Sequence, residues 1–287
     1  MKTEKVVQVL SPSGQTYDVG RKLAQNSRFD LHECILEDGR VCLFKIAATK
    51  EQNGLLDREA YLLTTMKDEA DATQAEYAGK FPKKPPLNYH FLFPRVVETF
   101  VSGEYDGRRI TVLSFFDTAD NLSDLAPLGH ITTLERQRID PRTSAWIMGK
   151  LLKLLVFTHG QKITGQSLDG DNILIHHADQ NQRHTSAIFD WSEATVVTTG
   201  LSPETTTEEI ASIAQAVIVA LSGDEDDETF AIPPHEEQLK DSRYANFLKN
   251  LAEGYEHDAA KAHAEFYALI KELWPQGGFH PYTSTRI

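Results

Sequence analysis

The stretch TGQSLDGDNILI, residues 164–175, is a polar, glycine-bearing loop that runs through Asp171-Asn172 straight into the strand-like Ile173-Leu174-Ile175. A second short apolar run, SAIFDW (186–191), contains Asp190, and the polar segment ADQNQR (178–183) lies between the two. Two apolar runs around a polar turn predict a β-hairpin. Because a hairpin brings its ends together, Asn172 and Asp190 are expected to converge.

Upstream of this hairpin the chain has strand character. VVQVL (6–10), TYDVGRKL (16–23), FDLHECIL (29–36) and RVCLFKIA (40–47) are separated by Gly or Asp-Gly punctuation. Leucines recur at near-helical spacing from Gln52 to Met66. The stretch from Lys67 to Tyr89 is polar, then alanine-rich, then proline-studded, and predicts a partly helical insertion ending in an extended loop. Strands return in RVVETFVSG (95–103) and RRITVLSFF (108–116). After Asp117 helical patterns dominate, over 121–128, Pro141–His159, Glu208–Ser222 and Asp258–Trp274. Trp146, Phe266 and Trp274 fall on helical faces and are expected in the core. The fold class predicted is α+β: a mostly β segment with one helix (1–113), a connector (114–117) and a mostly α segment (118–287).

Composition narrows the partners. The 287 residues are 40% hydrophobic and 25% charged, with a formal net charge of -13 that is densest in GDEDDET (223–229), read as a solvated loop. Such a field repels nucleic acid and anionic membranes. No apolar run reaches the roughly 20 residues of a membrane span, and the first ten residues lack the apolar core of a signal peptide, so the expected compartment is the cytoplasm. Cys34 and Cys42 flank Asp38-Gly39, a two-residue hairpin signal. That turn would set Ile35 opposite Cys42 and Cys34 opposite Leu43, pointing the thiols to opposite faces and making a disulfide unfavourable.

Taken in order, these segments resemble the protein-kinase-like superfamily over most of the chain. VCLFK (41–45) looks like the third-strand lysine motif, and DREAYLL (57–63) like the helix that supplies its carboxylate partner. The resemblance implies that Lys45 reaches the α and β phosphates of ATP and that Glu59 pairs with it. TVLSFFD (111–117) is similar to the hinge, which places Leu113 and Phe115 beside the nucleotide with Leu43. Asn172 matches the catalytic-loop asparagine and Asp190 the metal-binding aspartate, the two expected Mg²⁺ ligands, with Trp191 and Ser192 where Phe and Gly are usual. SPE (202–204) and EEIASIAQAVIVALSG (208–223) look like the end of an activation segment and the central helix of the large lobe, with Glu209 in place of that helix's aspartate.

Four departures from the family pattern bear on activity. The tripeptide that carries the proton acceptor reads Gly165-Gln166-Ser167, so Ser167 stands where the base should be. Asp169 occupies the usual place of a lysine near the γ-phosphate. The stretch matching the glycine-rich loop, LAQNSRFDL (23–31), has no glycine, although close backbone approach to phosphate depends on residues without a Cβ. Leu43 replaces the small alanine that roofs the adenine. A missing general base costs about 10²- to 10⁴-fold in rate. Two unit charges about 4 Å apart at an effective dielectric near 20 interact by about 4 kcal/mol, so the charge reversal at Asp169 shifts the balance by up to about twice that.

These residues leave three readings open. The first is a pseudokinase that works through a protein partner, with ATP and Mg²⁺ as its implied ligands. The second is an unconventional kinase or nucleotidyl transferase with Asp169 or Asp171 as its base. The third is an interaction domain whose cleft is filled.

Overall fold

The computed structural model describes residues 6–115, 125–176, 186–222, 243–275 and 280–286. The chain divides into two compact units, Met1–Ser123 with Trp191–Ala194, and Asp124–Asp190 with Thr195–Ile287. The predicted connector, 114–117, is described only through Phe115. The acidic stretch 223–229 and the polar turn 178–183 lie outside the described residues.

The first unit contains β1 (Val7–Leu10), β2 (Thr16–Gln25), β3 (Phe29–Leu36), β4 (Val41–Ala47), α1 (Asn53–Lys80), β5 (Arg95–Ser102) and β6 (Arg108–Ser114). The strands form one antiparallel sheet in the order β1-β2-β3-β4-β6-β5. Side chains alternate across a strand, and β4 shows the consequence. Cys42, Phe44 and Ile46 enter a core cluster with Val9, Tyr17, Val19, Cys34, Phe100, Ile110 and Val112. Leu43 and Lys45 therefore face the other side of the sheet.

Two expectations for this unit are corrected. The helix that begins near Gln52 does not end at Met66; it runs unbroken to Lys80, so the helical part of the expected insertion is its continuation, and the expected loop follows it. Its buried positions end at Ala70, and the remainder is an exposed run of alanines and charges. The strong helix formers there, with the i,i+4 pairs Lys67–Asp71 (2.9 Å) and Lys80–Glu76 (2.5 Å), extend it. The β3–β4 turn is also longer than two residues. Leu36 N donates to Arg40 O at 2.9 Å, and Gly39 takes a positive φ of 84°, which makes a three-residue loop ending in a left-handed glycine. The register moves accordingly, so that Cys34 faces Cys42 and Ile35 faces Val41. Both thiols lie on one face, buried and free.

The second unit contains β7 (Leu125–Pro127), α2 (Leu128–Thr133), β8 (Gln137–Ile139), α3 (Pro141–Gly160), β9 (Ile163–Thr164), β10 (Ile173–His176), β11 (Ser186–Ile188), β12 (Thr195–Val196), α4 (Pro203–Ser222), α5 (Arg243–Ala252), α6 (Ala259–Leu273) and β13 (Ser284–Arg286). The helix expected over 121–128 is not formed in its described part. Residues 125–127 are instead a strand on β10, with Ala126 opposite Ile175, because pairing with an open strand edge overrides a weak helical pattern. Asp140 caps α3, accepting from Arg142 N (2.8 Å) and Thr143 N (3.2 Å), with Pro141 in the first turn. The chain end packs back on this cap: His280 Nε2 meets Asp140 Oδ1 at 3.1 Å, Thr283 N donates to Thr143 Oγ1 at 3.1 Å, and β13 pairs with β8. No helix among the described residues is long and apolar enough to cross a membrane.

Candidate functional site

In the first unit the expected phosphate-reaching lysine is enclosed. Lys45 and Glu59 are both 0% exposed, and Lys45 Nζ lies 2.7 Å from Glu59 Oε1. The same oxygen accepts from Trp191 N at 3.0 Å. Trp191 is itself buried, with its ring edge-on to Phe93 at 6.3 Å. Arg58 Nη2 donates to Ser192 O at 2.9 Å, which ties the Trp191–Ala194 segment to α1 a second time.

Phe29 is a further member of this cluster that the sequence reading did not single out. It opens β3 two residues before Leu31, and Leu31 pairs directly with Lys45. Alternation then puts the Phe29 ring on the lysine's face, and its centroid is 4.0 Å from Lys45 Nζ, within cation–π range. The available signal was the alternation Phe29–Leu31 inside the stretch that lacks glycine.

The β2–β3 turn that precedes Phe29 has three of its backbone donors engaged. Asn26 Oδ1 accepts from Arg28 N and Phe29 N, both at 2.9 Å, and Asn26 N donates to Phe29 O at 3.0 Å. Arg28 reaches Glu193 at 2.5 Å. A phosphate cradle presents backbone N–H groups and a lysine to the anion. Here a side-chain amide oxygen holds two of those N–H groups and an aromatic ring lies against the ammonium. The residues of this turn, so arranged, do not fit a nucleotide's phosphates.

The expected pocket residues sit as follows. Leu43 pairs with Leu113 across β4 and β6. Leu43, Leu113 and Phe115 are all buried, at 4%, 0% and 6% exposure.

The second unit brings together the ends of the predicted hairpin. Ile173 pairs with Ile188, Phe189 N donates to Asn172 O at 3.0 Å, and Ser167 N donates to Asp190 O at 3.3 Å. Asp169, read as a candidate base, is the clasp of the loop. Its Oδ1 accepts from Asp171 N (2.9 Å), Asn172 N (3.1 Å) and Asn172 Nδ2 (2.9 Å), and its Oδ2 from Asn172 Nδ2 (2.9 Å). Asp171 points outward, with 75% of its side chain exposed and His130 Nε2 4.0 Å away. Gly129 N donates to Gly170 O at 2.9 Å, and a Cβ on Gly170 would lie 3.2 Å from the Gly129 backbone, so the two glycines allow this close approach. Asp190 is 1% exposed.

Glu209 anchors the front of the loop. Its Oε1 accepts from Thr164 Oγ1 (2.6 Å) and Gly165 N (3.0 Å), and its Oε2 lies 2.8 Å from His159 Nε2. Among the described residues no group of three or more His, Cys, Asp or Glu side chains is arranged to hold a metal ion. Any divalent cation at Asn172 and Asp190 would need donors beyond those types.

No family model matches the chain, and no curated protein matches it. Solved structures do. A structure described as vaccinia related kinase 3 matches with a TM-score of 0.60 at 14% identity, covering 95% of this chain and 93% of that one. At that identity the likeness speaks to architecture, and with the antiparallel sheet and helical unit described above it establishes an α+β, protein-kinase-like fold.

Proposed function

We propose that this protein is a pseudokinase, a kinase-fold module that works by contact with a protein partner and does not transfer phosphate. The observation that carries this reading is the fully buried Lys45, held between Glu59 Oε1 at 2.7 Å and the Phe29 ring at 4.0 Å. An active kinase keeps the lysine–glutamate pair as well, so the ring is what counts: a nucleotide would have to displace Phe29 to reach the ammonium. Ser167 in place of the base, and Asp169 spent on the loop's own N–H groups, support the same reading.

A second reading keeps one specific support. Asp171 is a solvent-exposed carboxylate beside a groove of about 640 Å³ lined also by Asp169, Gly129 and Ser212, and an unconventional transferase would use it. Incubation with Mg²⁺ and either α- or γ-labelled ATP separates the two. The pseudokinase reading expects neither label on any protein. Transfer of γ label, or of α label, that disappears in Asp171→Asn would replace it with a kinase or a nucleotidyl transferase respectively.

A further inference from the structure

One face of α3 has a composition the core does not require. Arg142, Trp146, Lys150 and Lys153 follow one another at helical spacing, and Trp146, expected inside, is 38% exposed. Phe266, Tyr267, Ile270 and Trp274 of the α6 region face them, and together they enclose a groove of about 290 Å³. Gly149 sets its depth, because a Cβ there would lie 2.9 Å from Phe266 Cε1.

The groove combines apolar walls with positive charge. Tyr267 is 53% exposed at one side, and Lys150 Nζ lies 6.0 Å from the Trp146 ring centroid. Burial, and then the neighbouring Lys150, push the Lys153 ammonium down to about 8. Among the described residues lining the groove there are three basic side chains and no acidic one, on a chain whose net charge is -13. Aromatic walls bind flat apolar bodies, and cations at a desolvated rim fix an anionic group. The volume lies just below the roughly 300–1,000 Å³ typical of small-molecule sites, which suits a small ligand.

We propose that the α3–α6 groove is a binding site for a small organic anion with an aromatic body, its ring against Trp146 and Tyr267 and its carboxylate or sulfonate at Lys150 and Lys153. The proposal does not depend on the pseudokinase reading.

The probe pair is 1-naphthylacetate and its uncharged isostere 1-naphthylacetamide, titrated into the full chain with tryptophan fluorescence as readout. Two of the three tryptophans line the groove. The proposal expects saturable quenching by the acid, with the amide at least tenfold weaker. In Lys150→Gln/Lys153→Gln the acid should weaken at least tenfold while the amide is unchanged. Trp146→Leu should weaken both probes. Absence of saturable binding, equal affinity for acid and amide, or undiminished acid binding in the double variant would each overturn it.

Discussion

Glu59 Oε1 accepts from Lys45 Nζ at 2.7 Å and from Trp191 N at 3.0 Å, all three residues being fully buried. One carboxylate thus joins β4, α1 and the segment after Asp190. Removing one partner of a buried pair leaves an uncompensated charge, so Glu59→Ala is expected to destabilise the protein by about 3–5 kcal/mol. Lys45→Met/Glu59→Leu should recover most of that loss. It should not recover all of it, because the hydrogen bond from Trp191 N to Glu59 Oε1 is lost as well, at about 1 kcal/mol. Urea melts of the three proteins check the order.

Asp140 ties the start of α3 to the chain end. Burial pushes its carboxyl up, but hydrogen bonds from His280 and Thr143 outweigh this and hold it below the usual carboxylate range. A carboxylate lowered in the folded state stabilises above its unfolded pKa of about 3.9, and that contribution fades as pH falls through the lower folded value. Asp140→Asn should therefore be less stable than the parent at pH 7, and the two stabilities should converge as pH drops below about 4. Thermal melts between pH 3 and 7 test this, and a pH-independent gap would contradict it.

The cysteines provide a check on register. Burial is the main force that raises both thiols, Cys42 to about 11 and Cys34 further. At pH 8 the thiolate fraction of Cys42 then falls roughly 10²-fold below that of a free thiol. Native protein should react with a disulfide reagent at least that much more slowly than urea-unfolded protein, and both thiols should become reactive together on unfolding. Ready labelling of one thiol alone in the native state would mean that the two do not share a buried face.

Strong local signals read correctly from the sequence. RVCLFKIA was read as a strand, Pro141 marked the first turn of α3, and Asn172 and Asp190 were placed at the ends of one hairpin. What was missed depended on tertiary context. Asp38-Gly39 suits both a two-residue and a three-residue loop, and only the pairing of Leu36 with Arg40 decides between them. The strand at 125–127 exists because β10 has an edge to fill. Phe29 meets Lys45 only through the β3–β4 register, and Asp169 became the loop's clasp because it turns back on the two N–H groups that follow it. Neither relationship is a property of spacing alone.

The central claim is that the Phe29 ring covers the ammonium of Lys45 while Asn26 holds the N–H groups of the preceding turn. Isothermal titration of the unmodified chain with MgATP tests it most directly, with Asn26→Gly/Phe29→Ala as the opened comparison. The account predicts no saturable heat for the parent at millimolar nucleotide. Saturable binding to the parent that Lys45→Met abolishes would contradict it.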